Sequence, residues 1–245
     1  MNQAQPKSTP GQNNTTEAVF EILLKDIVGG RYGAGARLPA ERTLAQDLGA
    51  SRTTVREALR RLESWCLVEA KRGSGVQILD ESRWSIEVLP AYLKYSPGRA
   101  PGGWIRLVGD LMSLRRTLLE GVVLLMAGRV DDKGLDEARQ ALHAAWETRQ
   151  RPEAFTKADF EMMRALVGAA GMLPALWVLN RVAGIYLEIA RAMAGGLPPM
   201  DDYVQVYEAI FAALAAGQGQ QAQTLMRDYL ERHDRRLMAA LEAWS

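Results

Sequence analysis

One stretch of this chain constrains its fold more than any other. It runs from Leu38 to Leu79 and reads LPAERTLAQDLGASRTTVREALRRLESWCLVEAKRGSGVQIL. Two short patterns of apolar residues at helical spacing are joined by a turn that contains Gly49. Two short β-patterns with a glycine-rich connection follow them. Two helices and a hairpin are therefore expected to share one small core.

The helices of this stretch have clear beginnings and ends in the sequence. One helix is predicted from Ala40 to Leu48, with Pro39 at its start and Gly49 after its end. Ser51 is a natural N-cap for the next helix. One face of that helix is apolar and should pack into the core through Val55, Ala58, Leu59 and Leu62. An earlier helix, beginning at Thr15 or Thr16, carries a further apolar stripe: Val19, Phe20, Leu23, Leu24 and Ile27.

The opposite face of the second helix is cationic and polar. It carries Arg52, Thr53, Arg56 and Arg60, although the whole chain has a net charge of only +1. Within 51–72 the cationic residues outnumber the acidic ones, with Arg52, Arg56, Arg60, Arg61, Lys71 and Arg72 against Glu57, Glu63 and Glu69. Guanidinium groups pair with guanine edges, and hydroxyl and backbone N–H groups bind phosphate. A local positive surface of this kind suits nucleic acid.

The hairpin is predicted from CLVEA and GVQIL, with KRGSG as the turn. Its tip has little side-chain bulk and can approach a phosphate backbone or a minor groove. For an isolated basic helix, a solvated surface would be an equally good interpretation. The turn, the Arg-Thr-Thr start and the basic tip within one unit favour a winged helix-turn-helix, whose second helix enters the major groove of DNA.

From about Glu17 to Leu79 the chain resembles the DNA-binding domain of GntR-family transcriptional regulators. The resemblance lies in L-P-A-E-R-x-L-A-x-x-L-G-A-S-R-T-T-V-R-E-A-L-R-R-L and in the basic, glycine-rich wing. It implies DNA contacts from the arginine of P-A-E-R, from the start of the recognition helix and from the wing tip. These positions are Arg42, Ser51, Arg52, Thr53, Thr54, Arg56, Arg72 and Gly73.

Beyond Asp80 the sequence is helical in pattern, with no alternating strand pattern. Breaks rich in Asp, Pro and Gly separate six long segments: 104–128, 132–149, 153–170, 173–194, 200–216 and 219–243. The predicted fold is mainly α, with an N-terminal winged helix-turn-helix, a small β-hairpin wing and a C-terminal all-α antiparallel helical bundle. The predicted division is a disordered tail (1–14), the winged helix-turn-helix (15–79), a linker with a short helix (80–103) and an effector-binding and dimerisation domain (104–245).

The helical part resembles the FadR subgroup of the family, many of whose members bind a metal through an aspartate and three histidines. The segment A-D-F-E-M-M-R-A-L-V-G-A-A-G-M corresponds to the subgroup pattern D-x-x-F-H-x-x-L…A-x-G-N. Asp159 keeps the aspartate, whereas Met163, Tyr203 and Tyr229 stand where the histidines are expected. Methionine and tyrosine do not replace imidazole for zinc, nickel or manganese. We therefore expect no metal site and no cofactor.

The long-chain acyl-CoA-responsive member of the subgroup also lacks these histidines. The stretch F-x-x-x-D-F-x-x-x-R-A-L-x-x-A-A-G, followed by L-N-R-V-A-G-I-Y-L-E-I-A-R, resembles its corresponding helices. The resemblance implies a small-molecule effector, an organic acid or an acyl-CoA-like compound. The alternative for each residue is that it fills the bundle core. The candidate contacts are Arg116, Asp159, Met163, Asn180, Tyr186, Tyr203 and Tyr229.

Together these features predict a homodimeric, ligand-responsive transcriptional regulator that binds operator DNA with inverted half-sites. A single cysteine, Cys66, excludes an internal disulfide and fits a cytoplasmic protein. No uncharged apolar segment of about 20 residues is present, so we expect no membrane span. Two alternatives stay open: a metal-dependent regulator of the same subgroup, and an enzyme that uses the helical pocket. Against the enzyme, the sequence has no Ser-His-acid set, no P-loop and no G-x-G-x-x-G after a strand.

Overall fold

A computed structural model describes residues 15–96, 98, 103–192 and 197–244. The chain divides into two compact units, Met1–Pro97 and Gly98–Ser245. The predicted tail, 1–14, lies outside the described residues. None of the helices in the described ranges is both long enough and apolar enough to cross a membrane.

The first unit is a winged helix-turn-helix, as the sequence predicted. Its helices are α1 (Thr16–Val28), α2 (Glu41–Asp47), α3 (Arg52–Ser64) and α4 (Leu89–Tyr95), and its strands are β1 (Val68–Lys71) and β2 (Gly75–Ile78). The expected caps are present, because Thr15 accepts a hydrogen bond from the backbone N–H of Ala18 and Ser51 accepts one from Thr54. The core is formed by the apolar faces of α1 and α3, with Phe20, Leu23, Val55 and Leu62 almost fully buried.

The hairpin is antiparallel, with Val68 opposite Ile78 and Lys71 opposite Gly75. The segment before α2 adds a short third edge, because the Leu38 N–H donates to the Val76 carbonyl at 2.9 Å and Arg37 pairs with Gln77. The wing tip therefore extends from a small sheet in which β2 bonds to β1 on one side and to the segment before α2 on the other. Gly73 and Gly75 have φ of +75° and +80°, which few other residues adopt.

The turn between α3 and β1 contains a cysteine in a left-handed conformation. Cys66 has φ of +56°, its N–H donates to the Glu63 carbonyl, and the Leu67 N–H donates to the Leu62 carbonyl at 3.0 Å. This is the usual hydrogen-bond pattern at a helix C-terminus, where glycine is the more common residue. The turn places Leu67 in the core, fully buried.

The first unit extends past Leu79 into the segment that the sequence analysis treated as a linker. The indole N–H of Trp84 donates to the Leu79 carbonyl at 3.1 Å, and Val88 and Ala91 are buried in the core of the unit. Ser96 donates to the Val28 carbonyl at the end of α1. The apolar side chains of α4 cover α1, and Pro90 lies in the first turn of α4, where its missing N–H leaves no helical hydrogen bond unmade.

The second unit is an all-α bundle. It contains α5 (Gly103–Met126), α6 (Asp136–Glu147), α7 (Pro152–Ala169), α8 (Leu173–Ala192), α9 (Tyr203–Ala215) and α10 (Gly219–Trp244). These helices match the predicted segments, except that α6 begins later, after a 3-10 turn over Lys133–Leu135. α5 and α10 run antiparallel, because Arg115 contacts Asp234 whereas Glu120, further along α5, contacts Arg227.

Candidate DNA-binding surface and ligand cluster

α3 separates apolar and cationic side chains onto opposite faces. Val55, Ala58 and Leu62 are fully buried. Arg52, Arg56 and Arg60, spaced four residues apart, are exposed and form a continuous stripe. Thr53 is exposed beside them in the first turn. We call the side chains of Arg52, Thr53, Arg56 and Arg60 the α3 stripe. Its guanidinium groups can hydrogen-bond the edges of bases in a major groove.

The two hydroxyls at the start of α3 are already used in the local structure. The Ser51 hydroxyl accepts from the Thr54 N–H at 3.0 Å and shares a hydrogen bond of 2.8 Å with the Thr54 hydroxyl. The two hydroxyl groups have two hydrogens, and the bond between them uses only one, so the other hydrogen has no partner within the pair. It can donate to a phosphate oxygen, alongside the free N–H groups and positive dipole of the helix start.

The predicted DNA-contacting arginines differ in their partners. Arg42, Arg52 and Arg72 are exposed and form no salt bridge with another described residue. Arg56 instead makes two bonds to Glu41, and Arg60 pairs with Glu57 at 2.6 Å. The first three side chains are therefore available to DNA without breaking a contact within the protein.

Arg61 has a structural role, although it adds to the positive charge of the segment. Its guanidinium pairs with Glu17 and lies 3.8 Å from the centre of the Phe20 ring. It therefore fastens α3 to α1. At the wing tip, Arg72 and Gly73 are exposed, and a Cβ at Gly73 would meet no atom within 4 Å. The positive φ of Gly73, rather than a lack of space for a side chain, therefore explains why this residue is glycine.

In the second unit, Asp159 lies beside three tyrosines from two other helices. The Tyr203 hydroxyl donates to Asp159 Oδ1 at 2.7 Å. The ring centre of Tyr207 is 5.0 Å from that of Tyr203 and 5.6 Å from that of Tyr229. We call Asp159, Tyr203, Tyr207 and Tyr229 the tyrosine cluster. It joins α7, α9 and α10, with Met163 buried one turn beyond Asp159.

Burial controls the protonation of this cluster. Desolvation raises the pKa of Asp159, against the opposing effects of the Tyr203 hydrogen bond and the Arg115 charge. Burial likewise raises the pKa of Tyr203, Tyr207 and Tyr229 above the usual value for tyrosine. The phenols are therefore neutral, and the Asp159 carboxyl holds its proton more tightly than an exposed aspartate does.

Three charged residues, Arg115, Arg116 and Asp234, adjoin the tyrosine cluster, and we call them the charged group. Asp234 is almost fully buried and accepts hydrogen bonds from Arg115 at 2.8 Å and from Arg116 at 3.1 Å. Arg115 Nε and His233 Nδ1 are buried and have no hydrogen-bond partner among the described residues. Buried polar atoms are almost always paired. His233 Nδ1 lies 3.6 Å from Asp234 Oδ1, which is too far for a hydrogen bond, so each of the two nitrogens can still take a polar partner.

The structure brings together most of the predicted effector contacts. Asp159, Met163, Tyr203 and Tyr229 lie in or beside the tyrosine cluster, and Tyr186 approaches it next to Phe160, with ring centres 6.0 Å apart. Arg116 contacts Asp234 and, at 3.9 Å, Glu120. Asn180 is exposed on α8, outside the cluster.

The sequence analysis did not select four residues of this region: Arg115, Tyr207, His233 and Asp234. Helical spacing could have found two of them, because Tyr207 follows Tyr203 by four residues and His233 follows Tyr229 by four. Asp234 stands on a helix face that also carries Leu230 and Leu241, and a carboxylate there needs a cationic partner.

A groove between α5 and α10 opens beside the charged group. Its volume is about 500 Å³, and its lining includes Gly109, Met112, Arg116, Asp234 and Met238. Among the described residues, no group of three or more His, Cys, Asp or Glu side chains is placed to hold a metal ion.

A winged helix-turn-helix with a cationic α3 stripe, together with a helical unit that encloses polar groups, defines a DNA-binding regulator with a ligand-binding domain. Residues 15–78 match the family described as bacterial regulatory proteins, gntR family, and residues 110–232 match the FCD domain. The chain belongs to the GntR family of transcriptional regulators and carries a FadR-like C-terminal domain. Regulators of this family bind operator DNA and small-molecule effectors.

Relatives support this assignment. The chain is 29% identical over 173 residues to the fatty acid metabolism regulator protein of Erwinia tasmaniensis, covering 70% of this chain and 69% of that one. It is 28% identical over 231 residues to the transcriptional regulator Mce2R of Mycobacterium tuberculosis, covering 94% of each. Among solved structures, Lar, which controls expression of the Listeria monocytogenes agr system, has the same fold, with a TM-score of 0.55 and 15% identity over 94% of this chain and 98% of that one. The family and these relatives are regulators rather than enzymes, which answers the enzyme alternative.

Proposed function

We propose that this protein is a homodimeric regulator that reads inverted DNA half-sites with α3 and releases or engages them in response to a small organic acid or acyl-type effector. The observation that carries the DNA-binding part is the α3 stripe, which lies opposite the buried Val55, Ala58 and Leu62. In this arrangement Arg52 and Arg56 contact base edges, and Ser51, Thr53 and Thr54 bind phosphate or sugar. Arg42, Arg72 and Gly73 contact the flanking backbone or grooves.

Dimerisation is supported by the apolar surface of the second unit. On α5, Leu114, Leu118 and Leu125 are each more than half exposed, and Gly121 continues the same stripe at helical spacing. On α8, Trp177 is 65% exposed, next to Val178. We propose that a second copy of the chain covers these stripes. A single α3 reads only a short half-site, so pairing two copies gives the DNA site its length and symmetry.

We propose that the effector binds at the tyrosine cluster and at the adjoining charged residues Arg115, Arg116 and Asp234. Arg115 Nε is a donor without a hydrogen-bond partner among the described residues, and a carboxylate or carbonyl oxygen complements it. The neutral phenols donate to oxygen and present apolar rings, which suits a small acid or the acyl end of a larger molecule. Binding controls DNA only through different affinities for the DNA-competent and incompetent arrangements of the dimer.

Selection from a random duplex pool tests the DNA-binding part. The full-length protein is expected to enrich one sequence with two inverted halves whose centres are about one helical turn apart, or a multiple of it. Recovery of sequences without shared bases, or binding that is equal for all duplexes, would contradict the proposal. Enrichment of a single, unrepeated half-site would contradict the homodimeric reading alone.

Native mass spectrometry of protein purified from its host tests the effector part. Wild type is expected to carry a small organic acid or acyl compound, and His233→Gln is expected to lose most of it. His143→Gln is the matched control, because His143 is an exposed histidine of α6 that lies 3.5 Å from Glu208 of α9. Retention by His233→Gln would place the site elsewhere. A stoichiometric transition metal in place of an organic ligand would favour the metal-dependent alternative.

A further inference from the structure

The contact between α2 and α3 includes an arginine of the α3 stripe. Arg56 Nη2 donates to Glu41 Oε2 at 2.8 Å, and Arg56 Nε donates to Glu41 Oε1 at 3.3 Å. The pair connects residues fifteen positions apart, on the two helices of the helix-turn-helix motif. Both partners keep solvent access, with the Arg56 side chain 55% exposed. The contact therefore lies at the surface where DNA is proposed to bind.

The two bonds use one side of the guanidinium and leave the other side free. A guanidinium carries five N–H groups in a fixed plane. Glu41 occupies the Nε–H and one Nη2–H, which leaves both Nη1 hydrogens and the second Nη2 hydrogen. The free edge, formed by Nη1 and Nη2, has the spacing that matches O6 and N7 of guanine. Pairing with Glu41 is thus compatible with a two-bond contact to a base.

A glutamate that lies within α3 itself provides a contrast. Glu57 pairs with Arg60 at 2.6 Å within a single helix, three residues apart, so it ties that arginine to its own helix surface. Glu41 approaches from a different helix and holds Arg56 across the motif. The Arg56 hydrogen bond, aided by the nearby charges of Arg52 and Arg60, lowers the pKa of Glu41, so this carboxylate stays charged at neutral pH.

From this geometry we propose that Glu41 is a positioning residue for sequence recognition, which orients the Arg56 guanidinium so that its free edge meets a guanine. An arginine held in one orientation loses less side-chain freedom on binding and discriminates more sharply against a displaced partner. The inference rests on the proposed DNA-binding role of α3. Its consequence is that removal of a negative charge, which should help DNA binding in general, weakens recognition of one base pair.

The test measures the affinity of the full-length protein for its selected duplex and for every single-base replacement of one half-site. Glu41→Gln is expected to lower discrimination at one base pair by roughly three- to ten-fold, a part of what a good arginine–guanine pair provides. Discrimination at the other positions, and affinity for a scrambled duplex, should hold or rise. Glu57→Gln, which removes the same charge from the same surface, should leave discrimination unchanged at every position.

A double-mutant cycle with Arg56→Ala completes the test. Arg56→Ala should lose discrimination at the same base pair, and adding Glu41→Gln should then have no further effect on it. Equal effects of Glu41→Gln and Glu57→Gln, or a Glu41→Gln effect that persists without Arg56, would overturn the inference. So would a uniform loss of affinity on all duplexes. If Arg56→Ala leaves base preference intact while Arg52→Ala abolishes it, the positioning role fails and the proposed function stands. If wild type has no base preference, the proposed function itself fails.

Discussion

At the scale of single residues, the tyrosine cluster differs most from an ordinary bundle core. A carboxyl group and three phenols occupy positions where leucine or phenylalanine would avoid the free-energy cost of desolvating polar groups. Two effects stabilise the buried Asp159 carboxyl: Tyr203 donates a hydrogen bond to it, and burial raises its pKa and so favours the protonated form.

This protonation makes the stability of the second unit depend on pH in the opposite direction to most aspartates. Since burial raises the pKa of Asp159, the folded state binds this proton more tightly than the unfolded chain does. The stabilisation of the folded state by this protonation is complete below the pKa of an unfolded aspartate. It declines as the pH rises above that value and is lost once the pH passes the raised pKa of Asp159 in the folded state. The basic side chains that face Asp159 are Arg115 and His233.

We expect Asp159→Asn to remove this decline. Asparagine cannot ionise, yet its oxygen can still accept the Tyr203 hydrogen bond. Urea unfolding of the second unit at pH 5 and pH 8 should show a smaller loss of stability for the variant than for wild type. Asp110→Asn is the control, because Asp110 is 73% exposed on α5. An equal loss in Asp159→Asn and wild type would show that Asp159 is ionised in the folded state.

Sequence reasoning identified part of this cluster. The subgroup resemblance pointed to Asp159, Met163, Tyr203 and Tyr229, all of which lie in or beside it. It did not point to Arg115 or His233, because an arginine or histidine on a long helix is usually exposed, and only the packing of α5 against α10 buries these two. Asn180 shows the reverse, since it sits within a motif but faces solvent.

At the scale of secondary-structure elements, the antiparallel pair of α5 and α10 positions the charged residues beside the tyrosine cluster. Asp234 of α10 holds both Arg115 and Arg116 of α5. Removing Asp234 takes away the carboxylate that Arg115 contacts and leaves Arg116 with the longer contact to Glu120 at 3.9 Å. Losing a carboxylate from such a buried set costs far more than losing a surface pair.

Asp234→Ala is therefore expected to destabilise the second unit by about 3–5 kcal/mol. Asp110→Ala, which loses only an exposed contact with Arg106 on the same helix, should cost less than about 1 kcal/mol. Chemical denaturation measures both. Similar small losses would mean that Arg115 and Arg116 find other partners, and that Asp234 does not organise the two helices.

The elements themselves were largely predictable from sequence. Glycine, proline and cap residues mark nearly every helix end, so the predicted segments of the second unit agree with α5 to α10. α4 was more difficult to place, because Pro90 and the following Pro- and Gly-rich segment resemble a linker. Val88 and Ala91 are buried because α1 provides a surface for them to pack against. The spacing of apolar residues within the segment cannot predict that surface.

At the scale of the whole molecule, the proposed dimer depends on the apolar stripes of α5 and α8. A charged residue within a buried stripe must be desolvated, so Leu118→Glu is expected to shift the protein from dimer to monomer and to weaken binding to the two-half-site duplex. Analytical ultracentrifugation measures the first effect. Ile86→Glu, at a position that is 42% exposed in the first unit, is the matched control. An unchanged dimer in Leu118→Glu would place the interface elsewhere.

The α3 stripe is proposed to read DNA sequence, and a comparison of three proteins tests this proposal. The ratio of affinities for the selected duplex and a scrambled duplex is measured at one fixed salt concentration for wild type, Arg52→Ala and Arg83→Ala. Arg83 is an exposed arginine of the first unit that lies outside α2, α3 and the wing. We predict that Arg52→Ala lowers the ratio by the equivalent of about 1–3 kcal/mol, whereas Arg83→Ala leaves it unchanged. An equal ratio for all three proteins would contradict the assignment of α3 as the reading helix.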